Sequence, residues 1–181
     1  MDDLTRTALA ARDGDQVALA RFVRESQADV WRLAAHLVDR GAADDLTQEV
    51  YERALRGLHA FRGDSSARTW LLSIARRTCI DTIRRRTRMR TREARLRVLA
   101  VERSAGIDEL GLELQELLAL LDPDRRTAFV LTQLLGYSYH EAAEVCGCPV
   151  GTIRSRVARA RADLLVGWDA AQDDEAGSAE A

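Results

Sequence analysis

Apolar side chains recur at three- and four-residue steps along most of the chain, which is the spacing of one face of an α-helix. No run of alternating β-branched residues indicates a strand. In the longest stripe the apolar residues are Leu19, Phe22, Val23, Val30, Trp31, Ala34, Leu37 and Val38. The stripes predict an all-α protein with helices over about 16–38, 43–58, 67–97, 112–121, 125–135, 138–146 and 150–166.

Loops and glycines divide these helices into two groups. A stretch with two glycines at 98–111 is predicted to be a linker between a domain at 1–97 and a helix-turn-helix domain at 112–168. The last residues, 169–181, are acidic and mostly small, a composition typical of disorder. The sequence therefore predicts two small helical domains joined by a linker and followed by a disordered tail.

The charge is unevenly distributed, although the net charge is only −2. Residues 76–97 contain ten arginines and residues 149–162 contain four. All 27 basic residues are arginine, a bias that a GC-rich genome explains and that also suits bidentate binding of phosphate. Two separate basic surfaces on an otherwise acidic chain indicate a polyanionic partner such as a nucleic acid.

The segment from Tyr139 to Val157 has the features of a helix-turn-helix. Ala143 is small where two helices would cross, and Gly147 permits a tight turn four residues later. The second helix would enter a DNA major groove with an outward basic face. An ordinary helical hairpin with a solvated arginine face is the alternative. The outward residues are Arg154, Ser155, Arg156 and Arg159.

Two further features allow both a functional and a structural interpretation. The arginine run after Trp70 is either a solvated helix face or a surface for melted DNA, with the loop from Phe61 to Ser66 as a pocket for a base. The polar patch around Asp45, Gln48 and Glu49 is either a capped, solvated helix start or a face that docks on another protein.

No pattern in the chain indicates an active site or a metal centre. Cys146 and Cys148 have only His140 nearby, which is too few ligands for structural zinc, and no nucleophile–base motif is present. We therefore predict no catalytic residue, no metal and no cofactor. The acidic start and the lack of a long apolar window predict a cytoplasmic protein without membrane insertion.

Three motifs, taken in order, resemble a bacterial RNA polymerase sigma factor of the extracytoplasmic-function (ECF) group. Residues 44–50 (DDLTQEV) resemble its region 2.2. Residues 61–65 (FRGDS), with Thr69-Trp70-Leu71 after them, resemble regions 2.3 and 2.4. Residues 148–156 (CPVGTIRSR) resemble region 4.2. The resemblance covers about residues 15–166, and the C-terminal stretch is also similar to the actinobacterial sigma C group.

The resemblance implies a protein that is not an enzyme but directs core RNA polymerase to promoter DNA. Asp45, Gln48 and Glu49 would then bind the clamp helices of the polymerase. In the family, the region after this patch opens the −10 element and region 4.2 reads the −35 element. The implied −10 residues are Phe61, Arg62 and Asp64 around a flipped base and Arg76, Arg77, Arg84 and Arg85 along the strand; the implied −35 residues are Arg154, Ser155, Arg156 and Arg159. Many members are held inactive by an anti-sigma factor, so the resemblance also implies such a partner.

Two other functional classes remain alternatives at this point. A free-standing repressor or activator with a helix-turn-helix would bind duplex operators without polymerase, usually as a dimer on a palindrome. A purely helical interaction adaptor would bind no nucleic acid, even at low salt.

Overall fold

The computed structural model describes the backbone of residues 1–94 and 109–179, with side chains described for 1–89 and 114–168. It confirms the all-α prediction: the described residues contain helices and no strand. The elements are α1 (Asp3–Arg12), α2 (Gln16–Leu37), α3 (Arg40–Gly57), a 3₁₀ turn (Leu58–Ala60), α4 (Ala67–Ala94), α5 (Glu109–Leu120), α6 (Pro123–Phe129), a π-helical turn (Val130–Leu134), α7 (Tyr139–Cys146) and α8 (Val150–Ala179).

Polar side chains at the expected positions begin these helices. Asp15 accepts hydrogen bonds from the Val17 and Ala18 amides, and Asp39 accepts one from the Ala42 amide. Such caps satisfy amide groups that have no partner inside the helix. Because Asp39 provides this cap, α3 begins at Arg40, earlier than the predicted start near residue 43.

Helices α1 to α4 form the first group. Its core is built from the predicted stripes: Phe22 and Val30 of α2, Val50 of α3 and Leu71 of α4 are completely or almost completely buried. Full burial of each such side chain contributes roughly 1.5–3 kcal/mol. The hydrophobic effect along these stripes therefore determines how the helices of this group pack.

Helices α5 to α8 form the second group, around Leu118, Leu131, Ile153 and Val157, which are at most 1% exposed. The helix predicted over 125–135 begins at Pro123, because Asp122 caps it by accepting from the Asp124 and Arg125 amides. It changes to a π-helical turn at Val130.

Three parts of the chain differ from the prediction or fall outside it. Helix α1 was not predicted, because its short stripe is interrupted by polar residues. Helix α8 continues to Ala179, so residues 169–179 are helical where we expected a disordered tail. The predicted linker over 98–111 lies mostly outside the described residues, and α5 already begins at Glu109.

The two groups of helices pack directly on each other. Helix α4 contacts α7, and α2 contacts α5 and α6. Across this boundary the Arg126 guanidinium donates 2.6 Å to the Leu37 carbonyl, and Gln115 donates 2.9 Å to the Ala35 carbonyl. Both acceptors lie at the C-terminal end of α2, where carbonyl groups lack helical partners and the helix dipole attracts a cation.

Candidate nucleic-acid and polymerase interfaces

Helices α7 and α8 form the predicted helix-turn-helix. Ser138 and Glu141 make a complete capping box at the start of α7. Gly147 ends α7 in the left-handed conformation, at φ +63°, a region that costs a residue with a side chain roughly 1–2 kcal/mol. The Cys148 amide then donates 3.1 Å to the Ala143 carbonyl and closes the turn.

Small and apolar residues lock the second helix of this motif against the first. Ala143 is 6% exposed, Val145 4%, Ile153 0% and Val157 1%. Because one face of α8 is buried in this way, the opposite face is presented outward. It carries Arg154, Ser155 and Arg159, all of them exposed.

Arg156 is the exception among the four predicted −35 residues. Its side chain is 24% exposed and pairs with Asp124 at 2.7 Å, and it also lies 3.6 Å from the Cys148 sulfur. The other carboxylate oxygen of Asp124 accepts from Arg76 of α4 at 2.5 Å. Asp124 thus joins one predicted −35 residue to one predicted −10 residue across the boundary between the two groups of helices.

The loop between the 3₁₀ turn and α4 places the predicted base-pocket residues at two depths. Phe61 is 4% exposed, and its ring lies 4.9 Å from that of Trp70. Arg62 and Asp64 are exposed and pair with each other at 2.9 Å. The polar side chains of the loop therefore face solvent above an aromatic floor that belongs to the core.

The arginines of α4 do not share one face. Arg77 and Arg84 are exposed, and their seven-residue spacing places them on the same side of the helix. Arg76 is 16% exposed because it faces Asp124. Arg85 is nine residues after Arg76, which is two and a half helical turns, so it lies on the opposite side of α4. There it faces α3.

The predicted docking patch lies along one side of a groove of about 570 Å³ between α3 and α4. Asp45 and Glu49 line it from α3, and Arg85, Arg86 and Met89 from α4. Glu49 also pairs with Arg53 at 2.5 Å. Gln48 lies outside the groove lining, exposed beside Glu52. Acidic and basic side chains therefore face each other across an open groove, around the exposed side chain of Met89.

The residues that hold the two groups together were not predicted from the sequence. Arg126 is 7% exposed, burial lowers its pKa, and its guanidinium donates to the backbone carbonyls of Leu37 and Leu118. Asp124 and Gln115 were likewise not singled out. The sequence contains no local signal for these contacts, because the partners across the boundary are 48 to 89 residues away along the chain.

The cysteines of the turn show no sign of metal binding. No group of three or more potential metal-binding side chains exists among the described residues. Burial raises the pKa of Cys146 to about 11, so the thiol is neutral near pH 7. Cys79 is buried in the first group, where burial raises its pKa to about 12.

A four-helix domain with an exposed polar loop, packed on a basic helix-turn-helix, defines a DNA-binding protein of transcription. Two family models match these parts: Sigma-70 region 2 over residues 22–89 and Sigma-70 region 4 over residues 111–164. The chain belongs to the sigma-70 family of RNA polymerase sigma factors, in its ECF group. It directs promoter-specific initiation of transcription by RNA polymerase.

Two mycobacterial proteins are similar over nearly the whole chain. They are the probable RNA polymerase sigma-C factor of Mycobacterium bovis and the ECF RNA polymerase sigma factor SigC of Mycobacterium tuberculosis. Each is 51% identical over 178 residues, which is 96% of this chain and 95% of the relative. This similarity supports the sigma C resemblance found in the C-terminal stretch.

Two solved structures share the fold. One is the sigma factor RpoE from Bartonella quintana in complex with the anti-sigma factor NepR, with a TM-score of 0.65 and 29% identity, covering 81% of this chain and 93% of that one. The other is CnrH in complex with the cytosolic domain of CnrY, with a TM-score of 0.73 and 29% identity, covering 93% and 99%.

The family to which the chain belongs is one of non-catalytic transcription regulators. Among the residues whose structure is described, no helix is both long and apolar enough to cross a membrane.

Proposed function

We propose that the two groups of helices divide promoter recognition between them. The domain over residues 1–97 binds core polymerase and the −10 element, and the domain over 112–168 binds the −35 element. The observation that carries this proposal is the exposed face of α8, with Arg154, Ser155 and Arg159 at the N-terminal half of the second helix of a helix-turn-helix. These side chains are the types that bind guanine edges and phosphates in a major groove.

For the −10 element, the exposed side chains of the 61–66 loop support a role in holding an unstacked base. Arg62 and Asp64 offer a donor and an acceptor for its edge, while the buried ring of Phe61 forms the floor beneath them. Arg77 and Arg84 share an exposed face of α4 that suits the phosphates of the melted strand. Arg85 is on the other side of the helix, and we assign it to the docking groove instead.

For core polymerase, the docking groove between α3 and α4 supports binding of a helical partner. Its acidic side, with Asp45 and Glu49, attracts basic side chains, and exposed Gln48 extends the polar surface. The clamp helices of the polymerase are the occupant that we propose. Binding there leaves the −10 loop free, because the loop lies at the other end of α4.

Promoter binding requires the two domains to separate. In the structure described here, Arg76 and Arg156 are tied to one carboxylate, that of Asp124, and neither guanidinium is free to bind DNA. Opening releases both arginines, so we propose that they bind promoter DNA in the open form only. The solved complex of the sigma factor RpoE with the anti-sigma factor NepR supports an anti-sigma factor as a further partner of this chain.

The test is run-off transcription with sigma-free bacterial core polymerase on pooled fragments of the source genome. Discrete transcripts that depend on this protein are expected, and their upstream sequences would define the −35 and −10 elements. An Arg159→Ala variant should lose about 1–3 kcal/mol of binding at one −35 position if the side chain contacts a base. A uniform loss across sequences would instead indicate a phosphate contact.

A protein that binds duplex operators without polymerase and starts no transcript would contradict this division of roles. It would make the free-standing regulator the better account. Co-migration with core polymerase without transcripts would leave the docking role standing and count against the roles assigned to the DNA-binding residues.

A further inference from the structure

Helix α1 precedes both regions matched by the family models, the first of which begins at residue 22. The match to the family therefore assigns no role to this helix. One face of this helix nevertheless contacts the 61–66 loop at its start, its middle and its end. We infer that Thr5, Leu9 and Arg12 are positioning residues for the −10 loop, so that α1 holds the proposed base pocket in its binding conformation. This inference rests on the role proposed above for that loop.

At the end of the loop, Thr5 caps helix α4 from a distance of 62 residues. The Ala67 amide donates 2.9 Å to the Thr5 hydroxyl oxygen, in a buried hydrogen bond. The same hydroxyl donates 2.7 Å to Asp2, so its direction is defined. Ser66 caps only the Thr69 amide, at 3.0 Å. Without Thr5, the first amide of α4 is buried without this partner, which is costly for a buried donor.

At the start of the loop, Arg12 donates 3.1 Å from a guanidinium nitrogen to the Phe61 carbonyl. Arg12 is itself held by Asp13 at 2.7 Å. In the middle, Gly63 takes a left-handed conformation at φ +79°, and a Cβ at this position would be in ordinary van der Waals contact with a methyl group of Leu9, at 3.5 Å. The loop therefore packs closely on α1.

The spacing explains why one helix supplies all three contacts. Thr5, Leu9 and Arg12 are four and three residues apart, so they lie on one face of α1. Their loop partners, Phe61, Gly63 and Ala67, are the points at which the backbone enters, turns and leaves. The exposed side chains between these points, Arg62 and Asp64, are the ones assigned to the base. Fixing the backbone reduces the ordering cost of base capture.

The chain offers matched controls for the contacting residues. Thr7 is also buried on α1, but its hydroxyl donates 3.0 Å to the Asp3 carbonyl of the same helix, not to the loop. Arg6 pairs with Asp3 at the surface. Thr5→Val and Arg12→Met should therefore be compared with Thr7→Val and Arg6→Met, and Thr5→Ser should restore the cap.

The experiment measures binding of the polymerase holoenzyme to a fluorescent single strand of a −10 element mapped by transcription. The same strand is then used with one abasic site, scanned along the element. Wild type should lose affinity at the position of the captured base. Thr5→Val and Arg12→Met should bind the intact strand about three- to tenfold more weakly than wild type, which is the size of one lost hydrogen bond. When the captured base is removed, the affinity of these variants should fall much less than that of wild type.

Each outcome has one meaning. Wild-type behaviour of Thr5→Val and Arg12→Met, or equal losses on the intact and abasic strands, would overturn the positioning role. A loss in Thr7→Val as large as in Thr5→Val would do so too, because it would reflect the stability of α1. If wild type shows no abasic-sensitive position, the proposed function of the loop itself fails. Faster hydrogen exchange of the Ala67 amide in Thr5→Val, with unchanged affinity for core polymerase, would support the inference independently of DNA.

Discussion

Phe61 provides a sharp test of whether the aromatic floor of the −10 loop belongs to the core or to the DNA site. Its side chain is 4% exposed, and its ring is tilted by 39° on Trp70 at a centroid distance of 4.9 Å. Truncation of a buried phenylalanine to alanine costs about 3–5 kcal/mol, of which the aromatic pair accounts for roughly 0.5–1.5. For a chain of this length, that loss lowers the melting temperature by roughly 6–20 °C.

The assay is urea unfolding of Phe61→Ala followed by tryptophan fluorescence, together with −10 strand binding by the holoenzyme. His59→Ala is the control, because this neighbouring side chain is exposed and should change stability by no more than about 0.5 kcal/mol. Stability near that of wild type, combined with lost binding of the −10 strand, would refute the reasoning. It would mean that the ring leaves the core to contact a base.

Three further predictions concern the domain boundary, the turn and a buried thiol. Asp124→Ala removes two ion pairs from a carboxylate that is 40% exposed, so the free energy of unfolding should fall by about 1–2 kcal/mol. Binding of the free protein to a −35 duplex should rise. Asp163→Ala, which breaks an ion pair within one domain, should leave that binding unchanged. Gly147→Ala should lower the free energy of unfolding by about 1–2 kcal/mol. Gly151→Ala, in open space in the first turn of α8, should not lower it, and equal effects in urea unfolding would contradict the left-handed turn. Burial raises the pKa of Cys79 to about 12 from an ordinary 9.0, so its contribution to stability is full below pH 9 and is lost as the pH rises towards 12. Iodoacetamide at pH 8 should therefore label Cys79 of the folded chain far more slowly than Cys79 of the urea-unfolded chain, with peptide mapping to separate it from Cys146 and Cys148, and equal rates at Cys79 would contradict this burial.

Features that depend on neighbouring residues were predictable from the sequence. The stripe of α2 predicted the burial of Phe22 and Val30, because residues three and four apart share a helix face. The turn at Gly147 and the outward positions of Arg154 and Arg159 followed from the spacing inside one short motif. The same local signals carried the resemblance to the sigma family that the family models confirm.

Helix ends were less predictable, because a single side chain can extend or stop a helix. Because Asp39 caps it, α3 begins at Arg40, three residues before the predicted start at residue 43. Helix α1 was missed, since its stripe is short and its stability comes from packing on α2 and α4.

Contacts between distant segments were not predictable at all. Nothing near Thr5 in the chain indicates the Ala67 amide, and nothing near Asp124 indicates that it holds Arg76 and Arg156 together. The physical reason is the range of the interactions. Periodicity and capping act within a few residues, whereas these hydrogen bonds form only after the helices have packed and brought their partners within about 3 Å. The local pattern therefore determined the helices, the DNA-binding motif and the family, and the packing determined which arginines are free and which helix supports the −10 loop.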